Sequence, residues 1–335
     1  MARDISDQVA ENRRGVTRLD GQFVTVPDRV QQNLRFERNT IAVEVTVEVY
    51  TRSLGSSLIS GHPDGSRHGS GHGVAGDVRS DWSQVSATTA SSQWTREGRN
   101  AVRDALDGQQ TGAISGTAVG TGGGTAQPGD STLTARTGDT FAYGAKGGAP
   151  NEVRARSQYL YAEAGDGSPD VQEFGLESND GSLMARATLS SAVPLGRSEE
   201  LRVDLTATIT GSTGTNKTVT SDGEAAIADS IQAQGSTVGL AEIAWGTGSP
   251  TIDPSTSALA NEVFSKDAAR SLDLETIEVS APQFEFEPSG QPYDYTEAAV
   301  VDNQGRVVWL VDFTSDPYPK DEQTQFTTSV GFRIV

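Results

Sequence analysis

Residues 118–125 read AVGTGGGT, and residues 244–251 read AWGTGSPT, 126 positions later. Carried forward at that offset, Pro128 meets Pro254, Ser131 meets Ser257 and Leu133 meets Leu259. Over 118–136 against 244–262, 8 of 19 positions are identical. A fixed-offset match of this length reads as an internal repeat, and it decides how the rest of the chain is divided. Upstream, Ala101, Val102, Asp104 and Leu106 match Ala226, Ile227, Asp229 and Ile231. Downstream, Tyr159 and Tyr161 match Phe284 and Phe286. Leu183, Ala185, Ala187 and Leu189 then match Val307, Trp309, Val311 and Phe313. The last run sets Leu201, Val203, Leu205, Ala207 and Ile209 against Phe326, Thr328, Val330, Phe332 and Ile334. The expected organisation is a segment 1–94 followed by repeats at 95–210 and 220–335, with offset drifts falling in loops.

Each repeat opens on a predicted helix, Arg96–Leu106 or Gly223–Ala233, with apolar residues on one face. A polar Gly-Thr-Gly turn follows, and then alternation of period two. Asn179-Asp180-Gly181 and Asp302-Asn303-Gln304-Gly305 read as hairpin turns between alternating runs. The fold class is therefore mainly β. Two tandem homologous β-sandwich domains, each with a short helix, follow an N-terminal α+β anchoring segment.

In residues 1–94, Met1–Arg14 carries a weak helical pattern and Gln22–Val26 reads as a strand. The run from Leu34 to Tyr50 is the strongest strand signal, with Val43, Val45, Val47 and Val49 on one face. Such a segment either completes its fold against neighbouring copies or forms a small α+β domain with one long loop. All three histidines, His62, His68 and His72, sit in one Gly/Ser-rich stretch. One reading is a metal site with Asp64 or Asp77 as oxygen ligand. The other is a solvated loop, because Gly65, Gly69, Gly71 and Gly73 oppose the helix that i, i+4 ligation needs.

Composition narrows the function classes. The 335 residues carry a net charge of −19 and no cysteine, which removes disulfide, thiolate-zinc and iron–sulfur chemistry. The charge argues against nucleic acid as a ligand. There are 25 Asp, 20 Glu and 22 Arg, but only 4 Lys. That balance suits a surface kept hydrated in molar salt, where screening acts over about 3 Å. Arg replacing Lys by codon bias in a high-GC genome is the other reading. Met1–Asp7 lacks an apolar run, so no signal peptide is expected, and no window is apolar enough for membrane insertion.

No catalytic constellation is legible. Residues 71–76 spell G-x-G-x-x-G without the flanking strand and helix of a dinucleotide site, and neither a phosphate-binding G-x-x-x-x-G-K-[ST] nor a G-x-S-x-G occurs. Catalytic residues and cofactor are accordingly expected to be none, beyond the metal ion considered at His62, His68 and His72. Glu285 and Glu287 share a strand face, as do Asp312 and Thr314, but an acidic chain yields such pairs by chance. Asp166, Asp170, Asn179 and Asp180 are weak calcium candidates. Phe284, Phe286, Trp309, Phe313, Phe326 and Phe332 read as core. Trp82, Trp94, Tyr293 and Tyr295 stand out as candidate exposed contacts. Asn216-Lys217-Thr218 is the one glycosylation sequon.

At Trp245-Gly246-Thr247-Gly248, Pro254, Ser257, Leu259 and Glu262 the chain resembles a type of tailed-virus structural protein. In that type a G-W-G-T-G-T-x-x-P-x-x-x-D-T-x-L-x-x-E segment precedes E-A-x-x-x-D-x-x-G-x-L-x-x-R. Here the second part falls on Glu297, Ala298, Asp302, Gly305 and Val307. The first repeat is more divergent, with Val119 for the Trp. The resemblance covers both repeats and not residues 1–94. It implies β-sandwich components of tails, baseplates, fibres or head decorations, without catalytic residues. Joined to the composition, it suggests a tailed virus of halophilic archaea. Expected partners are copies of the chain, neighbouring virion proteins, and a host surface glycoprotein or glycan. The expected location is the virion. A head turret or decoration protein, and an extracellular carbohydrate-binding module, are the alternatives.

Overall fold

A computed structural model describes residues 16–19, 22–25, 30–36, 38–53, 82–85, 89–109, 113–137, 143–146, 148–160, 169–196, 199–232, 238–284, 287–290 and 292–335. The chain opens with β1 (Val16–Leu19), β2 (Gln22–Thr25), β3 (Val30–Arg35), β4 (Asn39–Ser53), β5 (Ser83–Gln84) and β6 (Thr89–Trp94). Next come α1 (Arg96–Leu106), β7 (Ile114–Gly120), β8 (Tyr143–Lys146), β9 (Glu152–Leu160), β10 (Asp170–Ser178), β11 (Leu183–Pro194) and β12 (Glu199–Gly211). The remainder begins with β13 (Lys217–Val219), α2 (Ser221–Ser230), β14 (Leu240–Gly246), β15 (Glu262–Asp267), β16 (Ala269–Asp273) and β17 (Thr276–Gln283). It ends with β18 (Tyr293–Tyr295), β19 (Glu297–Asp302), β20 (Val307–Asp312), β21 (Tyr318–Lys320) and β22 (Thr324–Ile334). The fold is mainly β, as the period-two alternation requires.

Two smaller sheets have the same order. One runs β6-β11-β10-β7, the other β13-β20-β19-β14 with β15 added at its edge. Each helix sits between the first and last strand of its sheet in sequence and is capped by a threonine. Thr95 Oγ1 accepts from Gly98 N–H at 3.2 Å, and Thr220 Oγ1 from Gly223 N–H at 3.0 Å. The apolar faces foreseen for the helices are buried through Ala101, Val102, Ala105 and Leu106, and through Ala226, Ile227 and Ile231. Both predicted hairpin turns form, closed by Gly181 at φ 85° and Gly305 at φ 80°.

The third sheet has nine strands and draws on all three segments of the chain. Its main path is β16-β17-β22-β4-β12-β9-β8, with β3 beside β22 and β5 beside β4. β4 is antiparallel to β12 along Ile41–Ser53 and parallel to β22 at Asn39–Ile41. So β12 and β22 run in opposite directions on either side of it. The order β16-β17-β22 from one edge matches β8-β9-β12 from the other, with directions reversed. That is the pattern of an approximate twofold axis normal to the sheet at β4. Contacts across the axis join equivalent positions, one bridge being antiparallel and the other parallel. Asp107 bridges to Gly239, and Gln232 bridges to Ile114, each residue 125 positions from its counterpart. Helix α1 packs on β17 and β22, and α2 packs on β12 and β9, so each helix reaches strands of the other half.

β4 uses its buried Ile41, Val45 and Val49 and its ladder to β12 inside the chain, and its other side pairs at Asn39–Ile41 and Tyr50–Thr51. One expectation changes. The match of Tyr159 to Phe284 is off by one residue. The register Tyr159↔Leu201 corresponds to Gln283↔Phe326, so buried Gln283 stands where Tyr159 stands. A one-residue step in a strand changes the face, and Phe284 is 46% exposed rather than core.

Candidate functional site

The repeated Gly-Thr-Gly stretch ends β7 and β14 and wraps a carboxylate in each half. Glu297 is fully buried. It accepts N–H bonds from Gly248 (2.9 Å), Ala260 (2.8 Å) and Asn261 (2.7 Å). Glu173, also fully buried, accepts from Thr134 (3.0 Å) and Ala135 (2.6 Å). The glycines are required by close approach. A Cβ on Gly246 or Gly248 would lie 2.4 or 2.5 Å from the Glu297 carboxylate, and one on Gly120 or Gly122 2.6 or 2.5 Å from that of Glu173. The halves differ in charge compensation. Arg186 donates to Glu173 at 2.9 and 3.1 Å and to Asp130 at 3.0 Å. Leu310 occupies the position of Arg186 in the second half, and backbone amides hold Glu297. Both oxygens of each buried carboxylate accept hydrogen bonds, as burial of the charge requires.

A second polar cluster lies on the outer face of the nine-stranded sheet. Cross-strand rows set Tyr50 opposite Arg202, Glu48 opposite Asp204, and Arg52 opposite Glu200. The Arg202 guanidinium lies 3.9 Å from the Tyr50 ring centre, and that of Arg52 lies 4.6 Å from the Trp82 ring centre. Arg156 makes two bonds to Asp204, at 2.7 and 2.8 Å. That hydrogen bond leads the causes that raise its pKa above the ordinary arginine value, against the cost of burial. Trp82 and Tyr50 are half-buried, with polar groups around them.

The other candidates separate. His62, His68 and His72 lie outside the described residues, as do Asp64, Asp77, Asp166, Glu285 and Phe286. Among the described residues no group of three or more metal-ligating side chains converges. Asp170 and Asn179 stand at opposite ends of β10, about 30 Å apart at the usual strand rise, so they do not form one calcium loop. Asp180 instead accepts from the Ser178 hydroxyl and the Ser182 N–H, which hold its pKa below the usual carboxylate value. Trp94 and Tyr295, expected as exposed contacts, are core residues. Tyr293 is half-buried and stacked on Tyr295 at 6.2 Å. Glu287 is tied to Lys266 at 2.7 Å; desolvation works to raise its pKa, but Lys266 and the Phe284 N–H hold it below the usual value. Asp312 accepts from Thr314, closing a local turn. Asn216 of the sequon is exposed.

An open cleft of about 450 Å³ lies where β3 passes into β4, lined by Arg35, Phe36, Arg38, Glu278, Ser329 and Gly331. Arg35 is already paired with Glu278 at 3.1 Å. The burial of Glu173 and Glu297 was not foreseen, although each follows its Gly-Thr-Gly stretch at nearly the same distance. Compared with known proteins, the chain matches no family model, no curated protein and no solved structure.

Proposed function

We propose that this chain is a non-enzymatic structural protein of a tailed virus of halophilic archaea, placed in the tail tip, baseplate or fibre. One unit is used twice in it, closed on itself around the approximate twofold axis. The observation that carries this reading is the fate of the repeated motif. Its glycines pack directly against its glutamate in both halves, and backbone N–H groups of the following loop bond that glutamate, so its polar chemistry serves construction. The resemblance of the same residues to tailed-virus components supports the class. The outer sheet face around Trp82 and Tyr50 is the surface offered to a host glycoprotein or glycan.

The test is sedimentation of the full chain in molar KCl over a wide concentration range. A discrete symmetric oligomer with an even number of chains, such as a hexamer, is expected. A monomer at every concentration contradicts the assembly role.

A further inference from the structure

β16 ends one side of the nine-stranded sheet. None of the residues from Glu262 to Leu274 is buried. Leu272 is 39% and Leu274 81% exposed, the latter at φ 45° in the hairpin turn to β17. Natural edges are usually blunted by Lys, Pro or a bulge. β16 carries two charges, Arg270 and Asp273, but no Lys or Pro, and its register with β17 runs unbroken through five pairs.

The direction of its backbone groups follows from the register. Ile334 N–H donates to the Glu275 carbonyl at 2.9 Å. In an antiparallel ladder, alternate residues bond to alternate sides. Odd-numbered residues of β17 therefore face β22, and even-numbered ones face β16. Thr276, Glu278 and Ser280 pair with Asp273, Ser271 and Ala269. The N–H and C=O groups of Arg270 and Leu272 thus point out of the sheet, and no described residue pairs with that side.

We propose that this edge pairs antiparallel with the β16 edge of a second copy, around a twofold axis at Ser271. Outward groups on residues 270 and 272, flanking a small residue, are what such an axis requires. Arg270 of each copy lies opposite Leu272 of the other, and these two hydrogen-bonded pairs supply four N–H···O bonds. Ser271 faces Ser271 as a closely spaced, non-hydrogen-bonded pair. Ala269 faces Asp273. No like charges stand directly opposite each other; the two Arg270 side chains are diagonal neighbours, and each has Asp107 of its own chain as a partner at 3.3 Å. The pairing rests on the edge's backbone and stands independently of any place in a virion.

The absence of cysteine allows a clean test. Facing residues in a non-hydrogen-bonded pair have Cα atoms about 4.5 Å apart, within disulfide range. Full-length Ser271→Cys, oxidised in molar salt, is expected to run under denaturing, non-reducing conditions at twice the 35.2 kDa of one chain. Ser315→Cys, exposed elsewhere, is expected to stay single. In the otherwise native chain, Leu272→Pro removes an outward donor and no hydrogen bond of the ladder to β17. It is expected to halve the assembled mass while leaving the circular dichroism spectrum and melting temperature unchanged. A single-chain band for Ser271→Cys, equal cross-linking of Ser315→Cys, or an undiminished mass for a folded Leu272→Pro chain would each overturn the proposal.

Discussion

Trp245 on β14 faces Ala298 on β19, and at the corresponding place Val119 on β7 faces Phe174 on β10. The same exchange occurs where Trp94 faces Ala185 and Val219 faces Trp309. All eight side chains are buried. Each half keeps one ring per pair and differs in which strand carries it. This exchange explains why Val119 stands where the motif has Trp. Trp245→Val is expected to cost about 3 kcal/mol through the cavity it leaves, and Ala298→Phe about 1–3 kcal/mol through overpacking. The double variant recreates the pair of the first half and should recover at least about 1 kcal/mol of their sum, read by denaturant unfolding in molar salt. Strictly additive losses would refute the exchange. Glu297 gives a second test. Glu297→Gln turns an acceptor toward a donor beside three buried N–H groups and should cost about 1–3 kcal/mol. Glu173→Gln also strips a carboxylate from buried Arg186 and should cost more, about 3 kcal/mol or above. The glycines of the motif were legible in the sequence, as was Glu297 in its second part; that the glycines wrap Glu173 and Glu297 was not, because these lie about 50 residues downstream and only the sheet register brings them back.

Among the elements, β4 shows both the reach and the limit of pattern reading. Its alternation marked the strand and its buried face, since period two fixes which residues share a side. It left the neighbours open, because that alternation is the same beside β12 and β22 as beside another molecule. The helices were legible from their apolar faces, but not the strands of the opposite half on which they pack. Removing residues 1–29 takes away β1 and β2, which pair only with each other among the described strands. The cooperative melt should survive that truncation. Removing residues 1–53 takes away β4 and should abolish it; folded halves after that deletion would refute the shared sheet. Helix α2 places a half-buried carboxyl in contact with residues across the axis. Glu224 accepts from Gly211 N–H at 2.7 Å and lies 3.5 Å from the Asn151 amide, where the first half pairs Arg99 with Glu275 at 2.9 Å. Desolvation raises the Glu224 pKa, and the Gly211 N–H partly opposes this. A carboxyl with a raised folded-state pKa contributes stability below its unfolded pKa and loses it as pH rises through the folded value. Glu224→Gln should therefore raise the melting temperature at neutral pH and flatten its fall above the ordinary carboxylate range. An unchanged pH profile would remove Glu224 from that role.

At the scale of the whole molecule, the scarcity of Lys acquires a structural side. None of the three lysines with described surroundings is fully exposed: Lys320 is buried, and Lys217 and Lys266 are half-buried. The exposed charge is therefore carried by Asp, Glu and Arg among the described residues. If that surface is an adaptation to salt, the melting temperature should climb steeply from low salt to molar KCl as self-repulsion is screened. A melt insensitive to salt would favour codon bias as the origin of the composition. The proposed place in a virion joins this surface, the matching strand order of the two smaller sheets and the motif resemblance. Immunogold electron microscopy of tailed particles from the source culture, with an antibody to this chain, tests it most directly. Label concentrated at the distal end of the tail is the expected result, and label on the head would move the protein to a decoration role. Particles that carry no label, while the protein stays in the soluble cell fraction, would contradict a virion role altogether.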